Sequence, residues 1–327
     1  MILRFFNDKQ LAVQIGIIIA FLVAMLNQNI EMQAPQAFGP VYEAIYQLLS
    51  VHPTLIFISF ILLIVVEGIL LQLIVLHYNL VARNNLIVIL FWLILVFSNP
   101  SLVNFNPVLI ATVLSTWALF KLFAISEREN SIPKLFSVGF IISLSSLIYG
   151  LVFYYLIFLI ISLFILSLVN FRQILVSFIS FSLPYIYLFS YGYLFDVNIE
   201  FLSKVNFSID KISFFNSGPL FWISISLTLI ITVFSIYGLL KLISGLFSKL
   251  IQFRNFTTVL IVLLFISFVL QFLSGPWWYV NPYLIFVPLS ILVSIYLSEQ
   301  KRTFYIDLVL GLIIFLEIFQ LYYLKYA

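Results

Sequence analysis

The sequence predicts an all-α, polytopic integral membrane protein, with about eleven transmembrane helices in a single domain spanning residues 1–327. Three observations predict it. Hydrophobic residues make up 64% of the chain and charged residues only 8%, whereas a soluble domain carries about a quarter charged residues. Apolar runs of bilayer-crossing length recur from end to end. Between them no stretch is long enough to form a separate soluble domain. The formal net charge of +3 comes from basic residues scattered at span ends, so no nucleic-acid partner is expected. Cysteine is absent, which excludes disulfides, thiolate metal sites, a Cys nucleophile and lipid attachment through Cys. The heavy use of Ile, Phe, Leu, Asn, Tyr and Ser points to an AT-rich bacterial genome, and hence to the inner membrane.

In chain order, the first apolar run, Leu11 to Met25, is short and follows Arg4 and Lys9, as in a signal peptide. No small-x-small cleavage site follows it, so it is read as an uncleaved first helix. Further apolar segments lie near 54–77, 86–98, 108–124, 136–151, 153–169, 174–194, 219–241, 256–273, 283–297 and 304–324. The region Phe136 to Val169 is almost continuously apolar and fits either one long helix or two short ones. Charge decides. With two crossings there and a cytoplasmic N-terminus, the cytoplasmic ends collect Arg4, Lys9, Arg83, Lys121, Arg128, Lys134, Arg172, Lys241, Lys249, Arg254, Lys301 and Arg302. Only Lys204, Lys211 and Lys325 fall outside. A single crossing would strand Lys241, Lys249, Arg254, Lys301 and Arg302 on the wrong side, against the basic bias of cytoplasmic loops. The C-terminus is then extracytoplasmic. Within 136–169 the spacing predicts a tight outer turn near Gly150–Tyr154, with Gly150 as the breaker.

Two sizeable outer loops follow from this topology, residues 27–53 and 195–218. The second holds Asp196, Glu200 and Asp210, and its pattern fits both a strand and a helix face. Two shorter connections, 99–107 and 274–282, contain prolines, and Trp277, Trp278 and Tyr279 in the latter suit an interfacial aromatic belt. The opening stretch, "LNQNIEMQAPQAFGPVYEAIYQLLSVHP" (Leu26–Pro53), contains no Lys or Arg. Its charged residues are Glu31 and Glu43, with His52 beside Pro53. Pro40 suits a first helical position, and Pro40 to Val51 reads as a short amphipathic surface helix. Val41, Ile45, Leu48 and Leu49 form its apolar face; Glu43, Gln47 and Ser50 line another.

A short first span, an acidic outer loop with a surface helix, and "HPTL" (52–55) together resemble the GT-C superfamily of polyprenol-dependent glycosyltransferases. "SNPSLVNFNPVLIATVLSTWALFKLF" (98–123) is similar to that superfamily's Pro-containing outer turn and following span. "FSVGFIISLSSLIYGLVFYYLIFLIISLFIL" (136–166) resembles its pair of tightly joined helices, and "NPYLIFVPLSILVSIYL" (281–297) its late Tyr- and Pro-containing span. The resemblance implies an active-site carboxylate in the first outer loop, and Glu31 is the residue in that position. It would act as base or hold a divalent cation while an acceptor attacks a lipid-linked sugar. Glu43, His52, Lys204 and Lys211 are the accompanying substrate-binding candidates, the two lysines as point charges for a lipid phosphate. GT-C enzymes usually carry an Asp or an Asp/Glu pair in that loop and an Arg at the start of the late span, and this chain has neither. What the resemblance implies is therefore a catalytically degenerate scaffold or lipid-handling subunit of a cell-envelope complex, with no cofactor, in contact with polyprenol-phosphate or other membrane lipids and with envelope proteins. The alternative is an active glycosyltransferase with a polyprenol-linked donor, which alone would call for a divalent cation.

Ionisable residues at mid-bilayer are expensive and mark functional positions. Glu67 in "LLIVVEGILLQL" is the clearest, and Lys121 lies within roughly 3 Å of the same depth at about 1.5 Å of rise per residue. The two are expected to pair. The competing arrangement is a protonated Glu67 hydrogen-bonded within the bundle and a Lys121 that reaches to the cytoplasmic headgroups. Glu317 lies nearer the outer surface and ranks as a poorer partner. A secondary transporter usually shows internal repeats and broken helices; no repeat is visible by eye, although Pro184 and Pro288 are candidate breaks. The rings of charge that mark a channel are not evident either.

Overall fold

The computed structural model describes residues 39–50, 52–81, 86–98, 104–127, 131–195, 219–273, 282–300 and 304–326. The span at 11–26, Glu31, Lys204, Lys211, the loop after Phe195 and Trp277–Tyr279 lie outside the described residues. Within them the chain is helical: α1 (Pro40–Leu49), α2 (Pro53–His77), α3 (Ile87–Phe97), α4 (Pro107–Phe123), α5 (Ser131–Ile148), α6 (Tyr155–Ile165), α7 (Phe171–Leu194), α8 (Pro219–Gly245), α9 (Ile251–Leu273), α10 (Tyr283–Glu299) and α11 (Phe304–Tyr326). Five of the described helical stretches are long and apolar enough to cross a membrane: Pro53–His77, Ser131–Ile148, Phe171–Leu194, Ser226–Ser248 and Ile251–Phe272.

Local chemistry sets the helix starts. Proline opens α1, α2 and α4, where its missing N–H is one of the unpaired donors in any case. Ahead of Pro107 the Asn106 side chain accepts from the Leu109 N–H at 2.8 Å. Asn170 and Gln173 form a capping box at the start of α7, so two otherwise unpaired donors are satisfied reciprocally. Pro184 and Pro288 lie inside continuous helices, so neither is a break.

The region 136–169 is divided. Tyr149 is extended (φ −132°, ψ 105°), a 3-10 turn runs from Gly150 to Tyr154, and α6 begins at Tyr155. Side-chain contacts fix the relative directions. α4 and α5 are antiparallel: the Ser145 hydroxyl donates to the Ala111 carbonyl at 2.8 Å, and the Lys134 ammonium to the Ala124 carbonyl at 3.0 Å. α5 and α7 run in the same sense. Gly139 packs on Ser177 and Ser180, and further along Ser146 bonds Tyr185 at 2.6 Å. Two helices in one direction need a return between them, and α6 provides it.

α5 has its most extensive contacts with α4 and α7, and α3 with α10. α3 is only 11 residues long and almost wholly buried, covering about 16 Å at 1.5 Å per residue. A helix that short leaves polar backbone at its ends, which lipid cannot satisfy, so it belongs at the centre of a bundle. The lipid-like exposure falls on the outer helices instead. On α7, Phe178, Ile179, Ile186, Tyr187, Phe189 and Tyr193 are all exposed. Several buried hydroxyls are paired within their own helices: Ser162, Ser177, Ser290 and Ser294 each donate to a carbonyl one turn back, which satisfies them in an apolar surrounding.

The two ends of the bundle differ in charge. Tyr78 at the end of α2 donates to the Phe120 carbonyl at 2.8 Å, and Phe123 stacks on Phe256 in the first turns of α9. Lys249, just before α9, pairs with Glu299 at the end of α10 at 2.6 Å. These contacts, with Lys134 on Ala124, gather Lys121, Lys134, Arg172, Lys241, Lys249 and Arg254 toward one end. α1 is docked at the other.

Candidate functional site

Of the stretch 27–53, the structure describes residues 39–50, 52 and 53, and most of them belong to α1. Its seat is a backbone contact: the Gly39 N–H donates to the Ile148 carbonyl at 3.0 Å at the end of α5. A Cβ at Gly39 would lie 1.9 Å from the Leu147 carbonyl oxygen, so only glycine permits this approach. Tyr42 then goes fully into the core. Burial pushes its phenol well above the ordinary value, with Tyr46 adding to the effect, so Tyr42 stays neutral. The expected apolar face is only partly right. Val41, Ile45 and Leu49 pack against the core, but Leu48 is 75% exposed and Tyr42 takes the anchoring role. Sequence periodicity missed it because a tyrosine reads equally as surface or interior. Glu43, Gln47 and Ser50 are exposed, and so is His52, the N-cap residue of α2. The structure thus sets Glu43 and His52 at the surface of the same end.

Of the two arrangements weighed for Glu67, the hydrogen bond within the bundle is the one formed. Glu67 is fully buried, and its Oε1 accepts from the Thr116 hydroxyl at 2.6 Å; Oε2 has no partner. The ion pair with Lys121 is not formed. The Lys121 ammonium lies 5.4 Å from the Trp117 ring centroid instead, a cation–π contact. The reason is angular. Thr116 and Lys121 are five residues apart, roughly 140° around a helix of 3.6 residues per turn, while Trp117 and Lys121 share a face. Counting residues thus found the α2–α4 contact but not its partner, since Thr116 also lies about 7.5 Å from Lys121 along α4 at 1.5 Å per residue. Replacing Thr116 with valine is expected to leave Glu67 with no hydrogen bond and to lower the thermal stability of the detergent-solubilised protein by about 1–3 kcal/mol. The double variant Thr116→Val with Glu67→Leu is expected to recover most of the loss, and equal losses in the single and double variants would count against the contact.

Glu317, ranked second from the sequence, is just as deeply buried. Neither of its carboxylate oxygens has a hydrogen-bond partner. It shares a buried stripe of α11 with Leu310, Ile313 and Gln320, and α11 packs against α8 and α3. Spacing along the helix carried this signal, since 310, 313, 317 and 320 recur at helical period. Among the described residues no cluster of three His, Cys, Asp or Glu is placed to hold a metal ion. Comparison with family models, curated proteins and solved structures yields no match for this chain.

Proposed function

We propose that the chain crosses the bacterial inner membrane eleven times, with its N-terminus cytoplasmic and its C-terminus extracytoplasmic. It works at the outer leaflet as a GT-C-like, catalytically degenerate scaffold or lipid-handling subunit of a cell-envelope complex. The observation that carries this reading is the docked α1. A surface helix locked to the end of α5 through Gly39 and Tyr42, opposite the basic end, is a rigid ledge at the level where a lipid headgroup sits. Its exposed residues Glu43, Gln47 and Leu48 combine polar and apolar contacts, which suits the boundary between headgroup and acyl chain. The ten helices from α2 to α11 account for ten crossings and the run at 11–26 for the first. The shortest buried one, α3, is enclosed by its neighbours.

The topology is tested with single cysteines, since the chain has none of its own. Ser50→Cys is expected to react with a membrane-impermeant maleimide in intact spheroplasts, and Ser248→Cys only after permeabilisation. The reverse pattern would overturn the orientation. For function, a photoreactive polyprenyl phosphate is expected to label α1 and to be displaced by unlabelled polyprenyl phosphate. Glu31→Gln is expected to leave that labelling and cell-envelope assembly intact. Loss of assembly with intact labelling would turn the reading to an active transferase, and absence of labelling would remove the lipid-handling role.

A further inference from the structure

The basic end of the bundle holds a cleft of about 510 Å³. Its walls come from three places: Asn79, Leu80 and Val81 just past α2; Ser298 and Glu299 at the end of α10; Lys249, Leu250 and Phe253 around the start of α9. The backbone closes it on the α2 side. The Leu80 N–H returns to the Val75 carbonyl at 2.9 Å and Asn79 sits at φ 52°, a left-handed helix end for which asparagine is suited.

Two features of this cleft point to a ligand. The first is its chemistry, which is two-sided. Lys249 donates to Glu299 and lies 5.8 Å from the Phe253 ring centroid. Arg254, one residue after Phe253, stands beside the walls of the cleft rather than in them and makes no ion pair among the described residues. Beside them the Glu299 carboxylate accepts hydrogen bonds, while the Val75, Leu76 and Leu297 carbonyls at the ends of α2 and α10 are already taken by backbone N–H groups. The second is the level at which it lies. The 3-10 turn Leu246–Ser248 buries Leu246 and leaves Phe247 86% exposed, with Leu250 81% and Ile251 68% exposed beside it. Three adjacent large apolar side chains so exposed are unfavourable in water and favourable against acyl chains.

We propose that this cleft binds the headgroup of an anionic, hydroxylated phospholipid of the phosphoglycerol class. Lys249 and Arg254 hold the phosphate, Arg254 through its planar fork. The glycerol hydroxyls donate to the Glu299 carboxylate, and Phe247, Leu250 and Ile251 meet the acyl chains. The Lys249–Glu299 pair is no obstacle. Both partners are more than a third exposed, and an ion pair of that kind is weak enough for Lys249 to be shared with a phosphate. A soluble phosphate ester would satisfy the same charges but would gain nothing from the three apolar side chains beside them, whereas a lipid contacts both with one molecule. For that reason the lipid is the occupant.

The test uses the full chain in a neutral detergent, with phosphatidylglycerol, phosphatidylcholine and free glycerol phosphate as probes. Phosphatidylglycerol is expected to raise the melting temperature and to be retained in native mass spectra; the other two are not. Lys249→Gln and Arg254→Gln are each expected to weaken phosphatidylglycerol binding about five-fold while leaving the lipid-free melting temperature unchanged. Should either variant fail to fold, the salt dependence of binding to the unmodified chain serves instead, and a decline between low and physiological salt is expected. Equal retention of phosphatidylcholine, competition by free glycerol phosphate, or salt-independent binding would each overturn the proposal.

Discussion

Replacing Gly39 with alanine is expected to detach α1 from the bundle. The added Cβ would stand 1.9 Å from the Leu147 carbonyl oxygen and 2.5 Å from its carbon, and these are backbone atoms of a helix end with no rotamer to change. The conformation of Gly39 itself is ordinary (φ −66°, ψ 160°), so the effect is purely one of space. Relief requires α1 to move off, which breaks the Gly39–Ile148 hydrogen bond and withdraws Tyr42 from the core. A hydrogen bond of about 1 kcal/mol and a large buried side chain of about 2 kcal/mol together give about 3 kcal/mol for local docking. That corresponds to more than a hundred-fold rise in the population of undocked α1. Cleavage by a Glu-specific protease at Glu43 in the detergent-solubilised protein reads it directly, with the exposed-site variant Gln47→Ala as control. Unchanged cleavage in the Gly39 variant would show that α1 is held by something other than this contact. If the ledge matters for lipid handling, the same variant loses polyprenyl phosphate labelling while the remaining helices keep their melting transition.

Gly139→Leu is expected to be the most damaging single change within the bundle. A Cβ there meets the Ser180 hydroxyl oxygen at 2.0 Å, the Ser180 Cβ at 3.1 Å and the Ser177 carbonyl at 3.2 Å. Lipid is as apolar as leucine, so helix association in a bilayer rests on close backbone approach and interhelical hydrogen bonds rather than on expulsion of water. The α5–α7 contact has both, in Gly139 on Ser180 and in Ser146 on Tyr185. A leucine would force the helices apart at a cost of about 3 kcal/mol, the upper part of the range for overpacked cores. It would also remove the Ser146–Tyr185 bond. Gly139→Ala combined with Ser180→Gly is expected to melt close to the unmodified protein, because the second change clears the space that the first one fills. A Gly139→Leu protein with an unshifted melting transition would mean that α7 is not held by this face.

How much of this was legible beforehand depends on the length scale of the signal. The ten described apolar helices, five of them long enough to cross a membrane, begin and end near the bounds that the apolar runs suggested, because hydropathy and proline act within a few residues. The division of 136–169 was readable for a less local reason. Positive charge at Arg172, Lys241 and Lys249 had to return to one side, and the parallel contact of α5 with α7 meets the same requirement. The surface helix was readable from Pro40 and its periodicity. Its anchor was not, since what makes Tyr42 interior is the notch at Leu147 and Ile148, more than a hundred residues away in the chain.

Depth along a helix follows from counting residues, and it pointed to α2 and α4 as neighbours at Glu67 while setting Lys121 rather than Thr116 at that level. Direction around a helix follows only from what packs on each face. Thr116 rather than Lys121 therefore meets Glu67, and Lys121 turns to Trp117. Glu317 shows the same division: its helical spacing with Leu310 and Ile313 was in the sequence, but the complete burial of its carboxylate depends on α8 and α3 closing over it. The sequence by itself determined an all-helical, membrane-type chain, the bounds of its helices and the asymmetry of its charge. The tertiary structure alone decided which side chain answers each buried polar group, because such contacts depend on helix rotation, and a repeating apolar pattern leaves that rotation free until neighbouring helices lock it.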